Sequence, residues 1–173
     1  GTTPFPNPLN FGEILINFGY AERSQLEPLL AAWRERLAGA DLVIANVAPA
    51  AHLAARTLGI PSLEISQGFH IPPPVFPSPA LRDWQPAPVA NMEAADRRVL
   101  EAINAVLAAH GSSPLTTIGE LFTARSILLT YPELDIYPGR GPAEYFGIVP
   151  TGERGAVPVW PAGSGPRTFA YLY

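Results

Sequence analysis

Residues 41–74, DLVIANVAPAAHLAARTLGIPSLEISQGFHIPPP, decide the fold that the sequence predicts. Their first six residues, 41–46, form a short apolar run rich in β-branched side chains, which predicts a strand buried on both faces. Residues 49–58 have high helix propensity, with proline in the first turn and Gly59 after the last one. The run SLEIS at 62–66 predicts a second strand.

A strand, a short helix and a second strand form a βαβ unit, in which the two strands are parallel. Ligands of parallel sheets bind beyond the carboxyl ends of the strands. The sequence therefore directs attention to Asn46 and to the loop 67–70, which reads QGFH.

The rest of the chain alternates between helical and strand patterns. Asn10 with Glu13, and Ser24 with Glu27, match the capping-box signature of a helix start. The predicted elements are helices at 11–18, from Ser24 to Gly39 and at 91–109, a weaker turn at 117–123, and strands at 126–131 and 144–149. We therefore expect an α/β fold, a Rossmann-like parallel sheet of about four strands with helices on both faces.

This predicted sheet is incomplete. Its most apolar strand, 41–46, comes first, although the central strands of such a sheet are normally the most apolar. Either the strand is an unusually apolar edge, or its flanking strands belong to polypeptide outside this sequence. We favour the second interpretation, and an exposed apolar edge would also allow a homodimer.

Composition excludes several functional classes. The 173 residues are 47% hydrophobic and 15% charged, a balance typical of one globular domain with a core. A net charge of −4 with scattered basic residues gives no footprint for nucleic acid or an anionic membrane. The absence of cysteine excludes disulfides and thiolate catalysis. We expect a cytoplasmic protein with no nucleic-acid partner, no membrane partner and no metal.

Residues 71–88, IPPPVFPSPALRDWQPAP, lack any helical or strand period. Loops of this length within a compact domain are usually lids or binding loops, or else disordered. The apolar members Val75, Phe76, Leu81 and Trp84 indicate that this loop packs against something.

Three stretches suggest relatives: residues 41–69, the segment LLTYPELDIYPGRGPAEYFGIVP at 128–150, and PVWPAGSGPRTFAYL at 158–172. Together they resemble the two-domain glycosyltransferases of the UDP-glycosyltransferase and macrolide-glycosyltransferase kind. The PELD segment at 132–135 is the most specific part of the match. The resemblance implies two facing Rossmann-like domains, the first for the acceptor and the second for a nucleotide sugar. Residues 1–150 would then be part of the acceptor domain, and 151–173 the interdomain linker and the start of the donor domain.

The same resemblance implies an inverting transferase of natural-product or antibiotic biosynthesis that acts on a hydrophobic small molecule. Its co-substrate is a nucleotide sugar, and it needs no metal or other cofactor. The family's Gly-His loop, which supplies the base, and its pyrophosphate-binding segment have no counterpart in this sequence. Both groups lower the barrier to transfer, so we expect these 173 residues alone to be inactive, and we identify no catalytic residue.

Candidate binding residues follow from these positions. We expect Phe69 and His70 to contact the acceptor, and Gln67 and His70 to contact the donor sugar. Phe11, Phe76 and Trp84 could form the walls of an acceptor pocket, although core or loop packing explains them equally well. For His70 the alternative is a loop histidine packed against prolines.

The remaining polar residues favour structural roles. His52 suits a packed or capping position, and His110 suits the end of a helix. Glu64 lies in a strand and needs a partner such as an arginine. Glu133 and Asp135 could form a glycosidase pair, but capping of backbone amides is the simpler role for adjacent turn residues.

Two other functional classes remain open. A non-catalytic protein with a glycosyltransferase-like fold could bind ligands or assist a partner enzyme. An α/β hydrolase is disfavoured because Ser66 lacks the Gly-x-Ser-x-Gly elbow.

Overall fold

A computed structural model describes residues 3–122, 126–148 and 162–163. Its helices are α1 Phe11–Asn17, α2 Arg23–Leu37, α3 Pro49–Leu58 and α4 Val89–Ala109, and its strands are β1 Val43–Ala45, β2 Ser62–Ser66, β3 Ser126–Leu128 and β4 Glu144–Tyr145. Short 3₁₀ turns occupy Gly68–His70, Ile118–Phe122 and Pro132–Leu134. The segment predicted to be the interdomain linker and donor-domain start lies outside the described residues, apart from 162–163.

The four strands form one parallel sheet in the order β1-β2-β3-β4. This confirms the α/β class, the parallel sheet and the central βαβ unit. Helix α3 packs on β1 and β2, α2 packs on α3, and α1 packs on α4. Strand β2 has the predicted bounds, whereas β1, β3 and β4 are shorter than predicted; β1 pairs with β2 over three residues and β4 pairs with β3 over two.

The prediction that the first strand is buried on both faces is wrong. Val43 and Ala45 are buried beneath α3, whereas Ile44 between them is 62% exposed. Successive side chains of a strand point to opposite faces, so helices on one face cover only alternate residues. Leu42 is also exposed, so β1 forms an apolar edge of the described sheet, and the expected helical cover on both faces is not seen there.

The main core lies between the helices and the buried face of the sheet. Its residues with the least exposure are Leu53, Ala54, Val99, Ile103, Val106, Leu107 and Ile118. The apolar face of α4, which the helical spacing predicts, supplies four of these side chains.

Helix starts agree with the predicted signatures in one case and differ in the other. Asn10 accepts from the backbone N–H of Glu13 at 3.1 Å, and Glu13 accepts from that of Leu9 at 2.6 Å, which confirms a helix start at Asn10. Helix α2 instead begins at Arg23, so Ser24 is not its cap.

Hydrogen bonds attach the loop 71–88 to the rest of the chain. Of its four apolar residues that were expected to pack, Leu81 is buried, whereas Val75, Phe76 and Trp84 are exposed. The backbone N–H of Ser78 donates to Asp96 of α4 at 2.6 Å, and Asn10 donates to the other Asp96 oxygen at 2.8 Å. The N–H of Leu81 donates to the carbonyl of Leu9 at 2.8 Å. These bonds attach the loop to the start of α1 and to the first half of α4.

A candidate ligand site beside the sheet

Hydrogen bonds of Arg140 and Asp135 join the segment after β3 to the turn after β2, and these contacts are called the clasp. Arg140 forms an ion pair with Asp135 and donates to the carbonyl oxygens of Gly68, at 2.7 Å, and Ile71. The Arg140 and Asp135 side chains are only 7% and 4% exposed. Every guanidinium nitrogen therefore has an acceptor, and Arg140 connects the segment after β3 to the loop after β2.

Two tyrosines complete the clasp. The Tyr137 hydroxyl donates to the carbonyl of Phe69 at 3.1 Å, and the Tyr145 hydroxyl donates to Asp135 at 2.8 Å. Asp135 also accepts from the N–H of Tyr137 at 3.0 Å, which confirms that it caps a following amide. Burial alone would raise the pKa of Asp135, but the hydrogen bonds from Arg140 and the Tyr137 amide hold that pKa below its ordinary value.

His70 lies at the end of the turn that follows β2. Its Nδ1 is 3.2 Å from the hydroxyl of Ser66, the last residue of β2, and its ring meets that of Phe69 edge to face at 4.9 Å. Partial burial lowers the pKa of His70, against an opposing effect of the nearby Glu64 carboxylate. A neutral imidazole is therefore the main form at neutral pH.

A buried pair of polar side chains, His52 and Glu64, connects α3 to β2. His52 Nε2 is 2.7 Å from a Glu64 oxygen, and both side chains are fully buried. The other Glu64 oxygen accepts from the N–H of Val47 at 2.7 Å, where the chain leaves β1 with a positive φ of 53°. The structural roles predicted for His52 and Glu64 are confirmed, although the partner of Glu64 is a histidine and not an arginine.

A cavity of about 860 Å³ adjoins the clasp. Its wall combines Ile71 and the prolines 72–74 with Leu128 and Ala143, and its polar lining includes Arg56, Glu120, Ser126 and Arg140. The volume falls within the range of small-molecule sites. Rigid prolines, which lose little entropy on binding, form much of its apolar surface.

The cavity walls are held by contacts of their own. A Cβ added at Gly119 would lie 2.6 Å from the backbone of Pro73, so the turn Ile118–Phe122 and the proline run are in close contact. Ser126 donates to the carbonyl of Phe122 at 3.1 Å. Among the described residues, Arg56 has one hydrogen-bond acceptor, the carbonyl of Ser113 at 3.4 Å, and its side chain is exposed. It is the cation in this lining with donors to spare for a ligand.

The predicted site residues are not all brought together. Gln67, Phe69 and His70 lie at the carboxyl end of β2, but none of them lines the cavity. Phe11 is 2% exposed and meets Phe122 edge to face at 5.5 Å, so it is a core residue and not a pocket wall. Phe76 lies under Arg97 of α4 and lines a separate shallow depression.

Trp84 is 72% exposed and lines neither depression, so it is not placed as a wall of the cavity. Sequence reasoning missed Arg140 and Arg56. The spacing of Asp135 and Arg140 across a Pro-Gly turn is a signal for a local ion pair, but the carbonyls that Arg140 binds come from a distant loop. Nothing in the sequence around Arg56 identifies a cavity.

Comparison with protein-family models, curated proteins and solved structures found no significant match. Within the described ranges, no cluster of three or more histidine, aspartate or glutamate residues is arranged to hold a metal ion. None of the described helices combines the length and the apolar character that crossing a bilayer requires.

Proposed function

We propose that this chain is the acceptor-binding part of a sugar-transferring enzyme, and that the cavity beside the clasp holds a small molecule with an apolar skeleton and several hydroxyl groups. The observation that carries the proposal is the clasp itself. Arg140 and Asp135 join the QGFH turn to the PELD segment, the two stretches on which the glycosyltransferase resemblance most depends. Neither stretch lines the cavity itself, but Arg140, which joins them, and Ile71, which follows the turn, both do.

The lining favours this class of ligand. Prolines 72–74, Ile71 and Leu128 offer apolar contact, while Arg56, Glu120 and Ser126 offer a few hydrogen-bonding groups. The wall presents polar and apolar surface in similar amounts, so it suits a molecule that has an apolar skeleton and several oxygen atoms. The lining contains both arginine and glutamate, which disfavours a strongly charged ligand.

In the proposed reaction, an acceptor hydroxyl oxygen forms a bond to the anomeric carbon of a nucleotide sugar. The bond from that carbon to the diphosphate oxygen breaks, the diphosphate leaves as an anion, and the hydroxyl proton passes to a base. Attack opposite to the leaving group inverts the anomeric centre. The groups that hold the diphosphate would belong to a donor domain, so these 173 residues alone would bind acceptor without transfer.

Calorimetric titration with a macrolactone aglycone tests the proposal. We expect the chain to bind the aglycone and not UDP-glucose. Ala143→Trp, at an exposed position in the cavity lining, should weaken aglycone binding by roughly tenfold or more, about 1.4 kcal/mol. Ala108→Trp, at an exposed position on α4, is the matched control and should leave binding unchanged. Absence of aglycone binding, or equal binding by both variants, would refute the placement of the site.

Transfer itself is tested on the longest polypeptide that contains this chain. With UDP-glucose and the aglycone, mass spectrometry should detect an aglycone heavier by one hexose, and NMR should show inversion at its anomeric carbon. A polypeptide that includes both domains, binds the aglycone and never yields this product would favour a non-catalytic binding protein.

A further inference from the structure

Glu120 lines the cavity with a carboxylate that is held in one orientation. One of its oxygens accepts from the backbone N–H of Thr116 at 2.9 Å, and the other accepts from the Thr116 hydroxyl. Because a carboxylate has about four lone-pair positions, it can still accept from a ligand. Partial burial alone would raise the pKa of Glu120, but the hydrogen bonds from Thr116 and the nearby charge of Arg56 hold that pKa below its ordinary value. Glu120 is therefore an anion at neutral pH.

Arg56 lines the same cavity close enough to Glu120 to stabilise its charge. A guanidinium carries several N–H donors, and among the described residues Arg56 has one acceptor for them, the carbonyl of Ser113 at 3.4 Å. Arg140, the other arginine of the lining, differs because each of its nitrogens already has an acceptor in the clasp. Arg56 and Glu120 therefore present free donors and free acceptor positions near each other.

We infer that Arg56 and Glu120 together recognise one hydroxyl group of the ligand, which donates a hydrogen bond to Glu120 and accepts one from Arg56. A hydroxyl group does both, whereas an ether oxygen only accepts and an ammonium group only donates. A carboxylate on the ligand would only accept, and Glu120 would repel it. The pair thus selects a free hydroxyl group over these alternatives, and Thr116 is the positioning residue that holds Glu120.

This inference rests on the proposed function and narrows it to ligands with free hydroxyl groups. The other polar groups of the lining also favour hydrogen-bond donors on the ligand. The Ser126 hydroxyl uses its proton on the carbonyl of Phe122, and the exposed Glu144 carboxylate has no donor within the described parts of the chain. Glu120 acts in recognition and is not the base of the reaction, because a carboxyl group of low pKa removes a proton from an alcohol poorly.

The arrangement of these side chains is measurable without any ligand. In a chain labelled with ¹³C at its glutamate carboxyl groups, Glu120→Gln identifies the Glu120 signal, and titration of that signal gives the pKa. Thr116→Val and Arg56→Met should each raise this pKa, and Thr116→Ser should keep the wild-type value. The control is Arg36→Met on α2, an exposed arginine that also donates to a carbonyl oxygen, and it should leave the pKa unchanged. A pKa that neither Thr116→Val nor Arg56→Met raises would overturn the arrangement.

Recognition of a hydroxyl group is tested with cyclohexanol and its methyl ether, methoxycyclohexane. Cyclohexanol should shift the Glu120 carboxyl signal, and the ether at the same concentration should shift it much less. In Arg56→Met the shift caused by cyclohexanol should shrink. The signal of Glu35, exposed on α2, serves as the internal reference and should stay in place. A Glu120 signal that responds equally to both compounds, or to neither, would overturn the inference.

Calorimetric titration then relates this recognition to the proposed function. Wild type should bind the macrolactone aglycone at least about tenfold more tightly than its fully O-methylated derivative. Glu120→Met should lose most of that preference, and Glu35→Met should keep it. An equal preference in wild type and Glu120→Met would overturn the inference. If cyclohexanol acts as expected and the aglycone does not bind, the proposed function fails and the recognition of a hydroxyl group by Arg56 and Glu120 stands.

Discussion

The clasp between Arg140 and Asp135 makes the most demanding prediction about stability. Arg140→Met keeps much of the side-chain volume and removes all the donors. Among the described residues, the nearly buried Asp135 carboxylate then keeps two donors, the Tyr137 amide and the Tyr145 hydroxyl, and the carbonyl of Gly68 loses its arginine donor. Breaking a buried ion pair by removing one partner typically costs about 3–5 kcal/mol, so we expect a loss of that size in the free energy of unfolding.

A double-mutant cycle separates the charge from the packing. Asp135→Asn removes the uncompensated charge and keeps an acceptor for the Tyr137 amide. The double variant should therefore be more stable than Arg140→Met alone, with a coupling energy of about 1–3 kcal/mol. Urea unfolding followed by tryptophan fluorescence measures all four proteins. The control is Arg23→Met, whose exposed pair with Glu27 should contribute only about 0.3–0.5 kcal/mol.

The stability difference between wild type and Arg140→Met should also depend on pH. The folded-state pKa of Asp135 lies below its ordinary value of 3.8, so its contribution to stability is complete above pH 3.8 and is lost as the pH falls through the folded-state pKa. The difference between wild type and Arg140→Met should therefore shrink in acid, where Asp135 is protonated in both proteins. A loss below about 1 kcal/mol in the single variant, or strictly additive effects, would refute a buried, energetically coupled clasp.

Three further predictions concern the core, the cavity wall and the loop anchor. In urea unfolding, Phe11→Ala should lower the free energy of unfolding by about 3–5 kcal/mol, whereas Phe18→Ala, at a 73% exposed position, should lower it by under about 0.5 kcal/mol. Similar losses in both variants would contradict the burial of Phe11. Gly119→Ala places a methyl group 2.6 Å from the Pro73 backbone and should lower the free energy of unfolding by about 1–3 kcal/mol. An unchanged melting temperature would contradict this close contact. Burial holds the pKa of Asp96 above 3.8, so this carboxyl favours folding below that pH and loses stability as the pH rises through its folded-state pKa. Asp96→Asn should remove that part of the decline, and unfolding curves with the same pH dependence in both proteins would count against it.

Local patterns in the sequence were sufficient to predict most of the elements. The central helix, bounded by Pro49 and Gly59, has the ends that the sequence predicts, because caps and breakers act within a few residues. The parallel sheet was also predicted, because the βαβ pattern implies parallel strands. The start of α2 was misplaced because the signature at Ser24 competes with a good helix former, Arg23, before it.

The site was less predictable than the fold. Phe11 and Phe76 are aromatic residues near predicted loops, and only packing decides that the first is in the core and the second is under Arg97. The sequence directed attention to His70 because it is a polar residue that follows a strand. Its contact with the Ser66 hydroxyl, 3.2 Å from Nδ1, crosses a turn whose geometry the sequence does not specify.

The sequence by itself determined the class of fold, the order of the elements and the carboxyl end of β2 as a place for polar side chains, since these depend on short-range periodicity and on the rules of parallel sheets. Only the tertiary structure decided which face of β1 is covered, where the cavity lies and what Arg140 binds. Those outcomes depend on contacts between residues about 70 positions apart in the chain, such as Arg140 and Gly68. Long-range contacts of this kind leave no periodic trace in a single sequence, because the partner of a side chain is set by how whole elements pack and not by its neighbours.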